Sequence, residues 1–128
     1  MIVGKAAKAT GLSVKTIRYY EETGLVIPDR KENGYRDYSD KHIHILRFIQ
    51  RARSLGFSVE DCQSLVSLYE DKSRKSADVK MLAQKQLDTI ETKITDLQSM
   101  YNTLNHLVLN CKGDNHPDCP ILNDLAKK

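Results

Sequence analysis

The sequence predicts an all-α fold with one small β-hairpin, and three observations carry this prediction. Short amphipathic stretches that end in glycine fill the first half of the chain. Two β-prone runs flank a polar segment that ends in Asn33-Gly34. Neither proline nor glycine occurs from Ser76 to Asn110, which permits one long helix. Together these features predict a winged helix-turn-helix followed by a long antiparallel coiled-coil dimerisation helix.

Length and composition exclude several classes of protein. The chain has 128 residues, of which 40% are apolar and 29% charged, so a folded core is expected and wholesale disorder is not. No apolar run approaches the ~18 residues of a membrane span, and the N-terminal residues lack the apolar region of a signal peptide. The three cysteines do not form the framework of a small secreted protein. We therefore expect a cytoplasmic protein with no membrane association.

Charge is distributed unevenly along the chain. Residues 1–53 carry 11 Lys and Arg against 6 Asp and Glu, whereas residues 54–128 carry 9 against 11. A basic first half is typical of an end that faces nucleic acid, although many solvated surfaces are equally basic.

Glycine and serine positions set the bounds of four short helices. Gly11, Gly24 and Gly56 occupy positions typical of helix C-termini, and a serine follows each intervening loop where an N-cap belongs. We predict helices at about 2–9, 14–23, 40–55 and 59–70.

The first two of these helices are joined only by Thr10–Ser13, a short turn with a glycine, which is typical of a helix-turn-helix. The second helix buries Ile17, and its donors suit phosphates and base edges in a major groove. We expect it to expose Lys15, Thr16, Arg18, Tyr19 and Tyr20. The alternative is an amphipathic helical hairpin with an ordinary charged face.

A predicted hairpin follows, and it has the position of a wing. The β-prone runs are Leu25–Pro28 and Tyr35–Tyr38, and the segment between them is polar. The wing offers phosphate contacts from Arg30, Lys31, Tyr35 and Arg36, with Asn33 at its tip. Arg47, Arg51 and Arg53 on the third helix extend this basic surface.

The predicted long helix carries a heptad seam. Apolar residues recur at alternating spacings of three and four at Leu87, Ile90, Ile94, Leu97, Tyr101, Leu104 and Val108. Such a helix either packs on its own N-terminal domain or pairs with a second copy. Because the N-terminal domain offers too little surface for a helix this long, we favour a homodimer.

Two cysteines lie where the heptads stop. Cys111 and Cys119 flank a segment in which Gly113 and Pro117 permit a turn back. Pro120 suits the first turn of a short helix at 120–126, which makes Cys119 its N-cap and favours a thiolate there. The two cysteines alone leave a metal site, a redox pair and coincidence open, and their spacing fits no common zinc motif, which argues against a structural zinc ribbon. Cys62 is expected to be a buried apolar residue.

These features together resemble the mercury-resistance-regulator (MerR) family of bacterial transcription factors. The resemblance is carried by Thr16–Glu21 with Gly24-Leu25, by Glu32–Tyr38 and by Arg51–Phe57, and it covers nearly the whole chain. Within the family, Ser76–Lys80 and the segment from Cys111 to Pro120 are most similar to the copper-efflux regulators.

The resemblance implies a mechanism. Such regulators sit as homodimers on promoter DNA whose −35 and −10 elements are too far apart for RNA polymerase. Metal binding then bends and underwinds the DNA, which turns the same complex from repressor to activator. A preference of a few kcal/mol for the activating conformation is enough for this switch.

The resemblance also assigns the effector ion and its ligands. Cys111 and Cys119 would bind Cu(I), and by the same softness Ag(I) and Au(I), while the helix N-terminus and Lys80 offset the remaining negative charge. In similar regulators of divalent ions the position of Ser76 is a cysteine from the other protomer, so a third thiolate is missing here. His116 is expected to face solvent. The alternatives are a thiol redox sensor and a divalent-metal sensor.

No catalytic constellation accompanies these motifs, so the protein is not expected to be an enzyme. The predicted organisation is a DNA-binding domain at 1–70, a linker and dimerisation helix at 71–110, and a metal-binding loop with a short helix at 111–128.

Overall fold

A computed structural model describes residues 1–127, within which it contains six helices and one two-stranded antiparallel sheet. The elements are α1 (Val3–Thr10), α2 (Val14–Glu22), β1 (Asp29–Arg30), β2 (Arg36–Asp37), α3 (Asp40–Ser54), α4 (Val59–Glu70), α5 (Ser76–Asn110) and α6 (Pro120–Leu125). Every predicted helix is present, with bounds within one or two residues of those expected. The predicted fold class is confirmed.

The turn between α1 and α2 has the chemistry that the sequence predicts. Gly11 adopts φ 76° and donates its N–H to the Ala7 carbonyl at 2.8 Å, which ends α1. Ser13 then caps α2, because its hydroxyl accepts a hydrogen bond from the Thr16 N–H at 3.0 Å. The two helices are therefore held in the helix-turn-helix arrangement by local hydrogen bonds.

The hydrophobic core lies among α1–α4 and the chain that leads into the hairpin. Its largest fully buried side chains are Tyr38, Ile17, Leu46, Ile49 and Cys62. Cys62 is thus an apolar core residue, as expected, and burial raises the pKa of its thiol. This core fixes α2 and the hairpin to one scaffold.

The hairpin is confirmed, but the prediction of its first strand at Leu25–Pro28 is wrong. The strands pair with Asp29 opposite Asp37 and Arg30 opposite Arg36. Leu25 and Val26 are buried, and both direct their N–H groups to the Tyr20 carbonyl at the end of α2. Since Pro28 has no N–H to donate, strand pairing begins only after it.

Packing divides the chain into two compact units, Met1–Gln86 and the part from Leu87 onward. In the first unit, α5 is anchored by Gln86, whose buried amide donates to the Leu55 carbonyl at 3.0 Å. In the second unit, the seam side chains from Ile94 to Val108 are exposed, with Leu97 at 61% and Leu104 at 55%, and Ile90 is half-buried. Within residues 1–127, no helix has both the length and the apolar character to cross a bilayer.

Candidate functional site

The N-terminal unit presents a basic surface on α2 and on the hairpin. We call the hairpin (residues 29–37) the wing. Most of the side chains predicted to contact DNA are exposed there, namely Lys15, Arg18, Tyr19, Arg30, Lys31, Asn33, Tyr35 and Arg36. Thr16 is half-buried, and its hydroxyl lies 2.8 Å from that of Ser13. The exposed donors and guanidinium groups suit contacts with phosphate oxygens and base edges.

Tyr20 does not belong to this surface, so its prediction as an exposed contact is wrong. The residue is 6% exposed and lies in the core with Ile17, one helical turn earlier. Residues three apart share a helix face, and this spacing places Tyr20 on the buried side of α2. Tyr19, at 49% exposure, takes the outward position and packs against Tyr20 with ring centroids 6.0 Å apart.

Glu21 joins the wing to α2, a role that sequence reasoning missed. Both carboxylate oxygens accept from the Nε of Arg36, at 2.6 and 2.7 Å. Nη2 of Arg30 lies 4.0 Å away, and the hydroxyl of Tyr38 donates to the same carboxylate at 3.4 Å. Hydrogen bonding and the charge of Glu21 raise the pKa of Arg36. The Glu21–Arg36 separation of 15 residues has no helical or strand periodicity that would have revealed the pair.

The tip of the wing is built from its own polar residues. Asn33 accepts from the Tyr35 N–H at 3.1 Å, and Gly34 adopts φ 84°, a conformation that favours glycine. Arg30 donates through Nη1 to the Gly34 carbonyl at 3.0 Å. Asn33 therefore shapes the turn, while Lys31 and Tyr35 point away from the core.

Two of the three arginines predicted on α3 bind backbone carbonyls. Arg53 donates to the carbonyl of Phe57 at 2.8 Å, and Arg47 donates to that of Ala9 at 2.9 Å. The Ala9 carbonyl lies in the last turn of α1, where it has no partner within the helix, and the Phe57 carbonyl lies in the loop between α3 and α4. Arg47, Arg51 and Arg53 are nevertheless exposed, so their remaining N–H groups face solvent.

The second candidate site is the pair of thiols beyond α5. The Sγ atoms of Cys111 and Cys119 lie 3.9 Å apart, and both residues are half-buried. This distance is well above the ~2.05 Å of a disulfide, so both sulfurs are free thiols. The loop between them turns at Gly113, with φ 63°, and through the Asp114 carboxylate, which accepts from the His116 N–H at 2.9 Å.

The environment of Cys119 favours its thiolate. Cys119 is the N-cap of α6, and Pro120 occupies the first turn. The pKa of Cys119 is lowered by hydrogen bonds, of which the largest contribution comes from the backbone N–H of Leu122 and smaller ones come from the N–H of Ile121 and the Cys111 thiol. Partial desolvation of the thiolate opposes this shift. A thiolate is the form of cysteine that binds metals.

The donor set fits a soft ion with few ligands. With metal–sulfur bonds of about 2.3 Å, two thiolates lie about 4.6 Å apart in a linear site and about 3.8 Å apart in a tetrahedral one. The observed Sγ–Sγ distance of 3.9 Å matches the tetrahedral value. A linear site would require the two sulfurs to move apart by about 0.7 Å. Within residues 1–127, no cluster of three or more His, Cys, Asp and Glu is arranged to bind a metal. The described residues thus offer two sulfurs and not the four ligands that zinc usually takes.

The other residues predicted around this site are exposed. His116 faces solvent, as expected. Ser76 begins α5 and Lys80 lies one turn further along, in the N-terminal unit. Their predicted influence on metal selectivity stays a prediction.

Comparison with known proteins covers both halves of the chain. A family model described as MerR HTH family regulatory protein matches residues 1–68. A second, described as MerR, DNA binding, matches residues 43–107.

Individual relatives extend the similarity over nearly the full length. The chain is 54% identical to the HTH-type transcriptional regulator HmrR of Rhizobium leguminosarum bv. viciae, covering 98% of each chain. It is 46% identical to the HTH-type transcriptional regulator CueR of Salmonella typhimurium, covering 98% of this chain and 92% of the relative. The crystal structure of PbrR691 from Ralstonia metallidurans CH34 in complex with lead(II) matches with a TM-score of 0.85 at 29% identity, covering 98% of this chain and 99% of that one.

Proposed function

The chain belongs to the MerR family of HTH regulatory proteins, and from this membership we propose that it is a Cu(I)-responsive activator and repressor of metal-efflux genes. It responds to Ag(I) and Au(I) as well, because these ions share the softness of Cu(I). The family and its relatives are transcription regulators and not enzymes. Regulators similar to this chain include HmrR, CueR and a protein solved with lead(II), which supports a metal effector in general.

The observation that carries the proposal is the Cys111–Cys119 thiol pair. Two free thiols 3.9 Å apart, one of them with a lowered pKa, form a soft donor set in a loop that has no third ligand among the described residues. Two thiolates and a monovalent ion leave one net negative charge, which the N-terminus of α6 partly offsets. A divalent ion would be left short of ligands at the same site. The donor set therefore favours Cu(I).

The proposed DNA interface consists of α2 and the wing. Lys15, Thr16, Arg18 and Tyr19 face the major groove from α2, while Arg30, Lys31, Tyr35 and Arg36 contact phosphates from the wing, with Asn33 shaping its tip. Arg53 adds a phosphate contact from the end of α3. Contacts of this kind give an affinity that falls steeply as salt concentration rises.

The functional form is a homodimer. The seam of α5 is exposed in a single chain from Ile94 to Val108, and such a face is stable in water only when it is covered. A second copy of the same helix, in antiparallel orientation, supplies a matching seam. Two copies also present two α2 helices, one for each half of a promoter site.

In the proposed mechanism the dimer stays on the promoter in both states. With the thiols free, the complex holds the promoter in a form that RNA polymerase cannot use. With the ion held by Cys111 and Cys119, the dimer favours a conformation that bends and underwinds the DNA, and polymerase then engages both promoter elements. The ion acts by its differential affinity for the two conformations. We place this action in the cytoplasm.

Metal binding tests this assignment directly. Purified dimer is titrated anaerobically with Cu(I) and with Zn(II) in the presence of competing chelators, for wild type and for Cys111→Ser. We expect Cu(I) to bind wild type far more tightly than Zn(II), and Cys111→Ser to lose most Cu(I) affinity. Equal affinities for the two ions would support the divalent-sensor alternative, and a disulfide formed by mild oxidant without any tight metal binding would support the redox alternative.

A further inference from the structure

We propose that Glu21 is a positioning residue for DNA binding, one that holds Arg36 and Arg30 of the wing in place against α2. The proposal rests on the proposed DNA interface and deepens it. Glu21 is itself negatively charged and therefore has no favourable contact to offer a phosphate. Its contribution to DNA binding is therefore indirect, through the positions of the arginines that it contacts.

Two like charges repel each other in the wing, and the carboxylate of Glu21 reduces this repulsion. Arg30 and Arg36 are directly opposite each other in the two-stranded ladder. Like charges at opposed positions of a β-ladder repel and destabilise the pairing. The ladder is only two residues long on each strand, so it has little pairing energy to resist this repulsion.

The carboxylate of Glu21 is placed to neutralise both guanidinium groups. It lies 2.6 Å from Nε of Arg36 and 4.0 Å from Nη2 of Arg30. Its side chain is 17% exposed, compared with 42% for Arg36 and 56% for Arg30. The anion is thus the more buried partner, and the two cations keep N–H groups in solvent.

This arrangement fixes the position of the wing relative to α2. Glu21 lies on α2, Arg36 lies on β2, and charge-assisted hydrogen bonds between them are geometrically specific. The donor of Tyr38 on the same carboxylate restricts it further. Groups fixed in advance lose less conformational freedom when they bind, so the pair prepares the wing for a phosphate backbone.

The proposal makes a prediction opposite in sign to simple electrostatics. Removing a negative charge from a DNA-facing surface strengthens binding if charge alone matters. If Glu21 positions the wing, Glu21→Gln weakens binding although it makes the surface more basic. Glu22→Gln is the matched control, because Glu22 is exposed, carries the same charge one residue away and makes no ion pair with any residue in 1–127.

The experiment measures the promoter affinity of the full-length protein over a range of salt concentrations. The variants are Glu21→Gln, Glu22→Gln, Arg36→Gln and the double variant Glu21→Gln/Arg36→Gln, each with its melting temperature recorded. We expect Glu21→Gln to bind about tenfold more weakly, as loss of a charge-assisted hydrogen bond suggests, and Glu22→Gln to bind at least as well as wild type. In the Arg36→Gln background, the Glu21 substitution should weaken binding much less, because only the longer contact with Arg30 remains to be lost.

Three results would overturn the proposal. The proposal requires Glu21→Gln to bind DNA more weakly than Glu22→Gln, so equal affinities of the two variants contradict it. A weakening that persists unchanged in the Arg36→Gln background would show that Glu21 acts without the wing arginine. A wild-type affinity that does not change with salt would contradict the whole proposed DNA interface, and this role of Glu21 with it.

Discussion

Two of the three cysteines, Cys62 and Cys119, have opposite surroundings. Cys62 is fully buried, and desolvation raises the pKa of its thiol. Cys119 is half-buried at the start of α6, and backbone N–H groups lower the pKa of its thiol. Thiol reactivity follows the thiolate fraction and access to solvent, so Cys62 and Cys119 differ in chemistry although they are the same amino acid.

We predict that alkylation separates these cysteines. With iodoacetamide near neutral pH, Cys119 should react first and Cys62 should be protected until the protein unfolds, because a lowered pKa raises the thiolate fraction and a raised one reduces it. Peptide mass spectrometry at successive times gives the three rates. In denaturant, the protection of Cys62 should disappear. Rapid labelling of Cys62 in the native protein would contradict the described core.

Gly56 and Gln86 lie in close contact where the long helix passes the end of α3. Gly56 has φ 86°, and a Cβ at this position would lie 2.6 Å from Nε2 of Gln86. The same amide donates to the Leu55 carbonyl, which is left without a helical partner near the end of α3. The close approach of the long helix to this turn requires both a glycine and a donor.

We predict that Gly56→Ala and Gln86→Ala each destabilise the protein and that their effects are not additive. Gly56→Ala should cost about 1–3 kcal/mol from its positive φ and the close contact, and Gln86→Ala about 1–3 kcal/mol from the unpaired carbonyl. The double variant should cost less than the sum, because the shortened side chain removes the contact that the new methyl group meets. Urea unfolding at one fixed protein concentration measures all three values. Strict additivity would contradict the contact.

At the scale of elements, α5 carries an apolar face whose side chains from Ile94 to Val108 are exposed among the described residues of a single chain. Its apolar seam runs over about three heptads, and Leu97 and Tyr101 are 61% and 64% exposed. Helices with such a seam associate through knobs-into-holes packing. Burial of the seam then contributes more to helix stability than intrinsic helix propensity does. This face is the physical basis of the proposed dimer.

We predict that Leu97→Asp prevents dimer formation. The substitution would place an unpaired carboxylate in the apolar interface, which is strongly unfavourable. Sedimentation equilibrium should then show monomer or insoluble protein, whereas Ser99→Asp, an equal charge on another face of α5, should stay dimeric. A stable dimer of Leu97→Asp would contradict the proposal that the seam of α5 forms the dimer interface.

The helices could be predicted from the sequence because their signals are local. The caps at Ser13 and Ser58 and the glycine at Gly11 specify helix ends within a few residues of chain. The sequence misplaces the first strand because Leu25 and Val26 have strand-like composition, whereas both side chains are buried in the core. Burial of this kind depends on residues far along the chain, such as Ile45 and Val66, which line the space beside them.

The same distinction separates the two candidate sites. Cys111 and Cys119 could be predicted because one short loop brings them together. Glu21 could not, because its partners are 9 to 17 residues away across a hairpin whose register the sequence does not specify. The hydroxyl of Tyr20 suits a DNA contact and so predicts an exposed position, whereas its place on the helix puts it in the core.

At the scale of the whole molecule, ion selectivity depends on how many thiolates one site receives. The proposed site has two from one chain, and the resemblance to metal regulators implies that a cysteine in place of Ser76 would supply a third from the other protomer. Ser76 is exposed at the start of α5 in a single chain, so a substitution there does not disturb the core.

We predict that Ser76→Cys gains Zn(II) or Hg(II) binding and loses part of the preference for monovalent ions. Three thiolates hold a divalent ion that two cannot. Chelator competition with the purified dimer measures this change, and Ser73→Cys in the preceding loop controls for the added thiol. Gained binding need not activate transcription, because the switch depends on the conformation that the new site favours. If Ser76→Cys binds Zn(II) no better than Ser73→Cys, the third-ligand explanation of selectivity is wrong.

In vitro transcription tests the central claim most directly. The dimer is placed with RNA polymerase on a promoter fragment that it binds, and Cu(I), Ag(I) or Zn(II) is titrated while transcript and promoter occupancy are both recorded. We predict that Cu(I) and Ag(I) activate transcription while occupancy stays constant, and that Zn(II) does not. Activation by Zn(II) equal to that by Cu(I), or release of the protein from DNA when Cu(I) binds, would contradict the account.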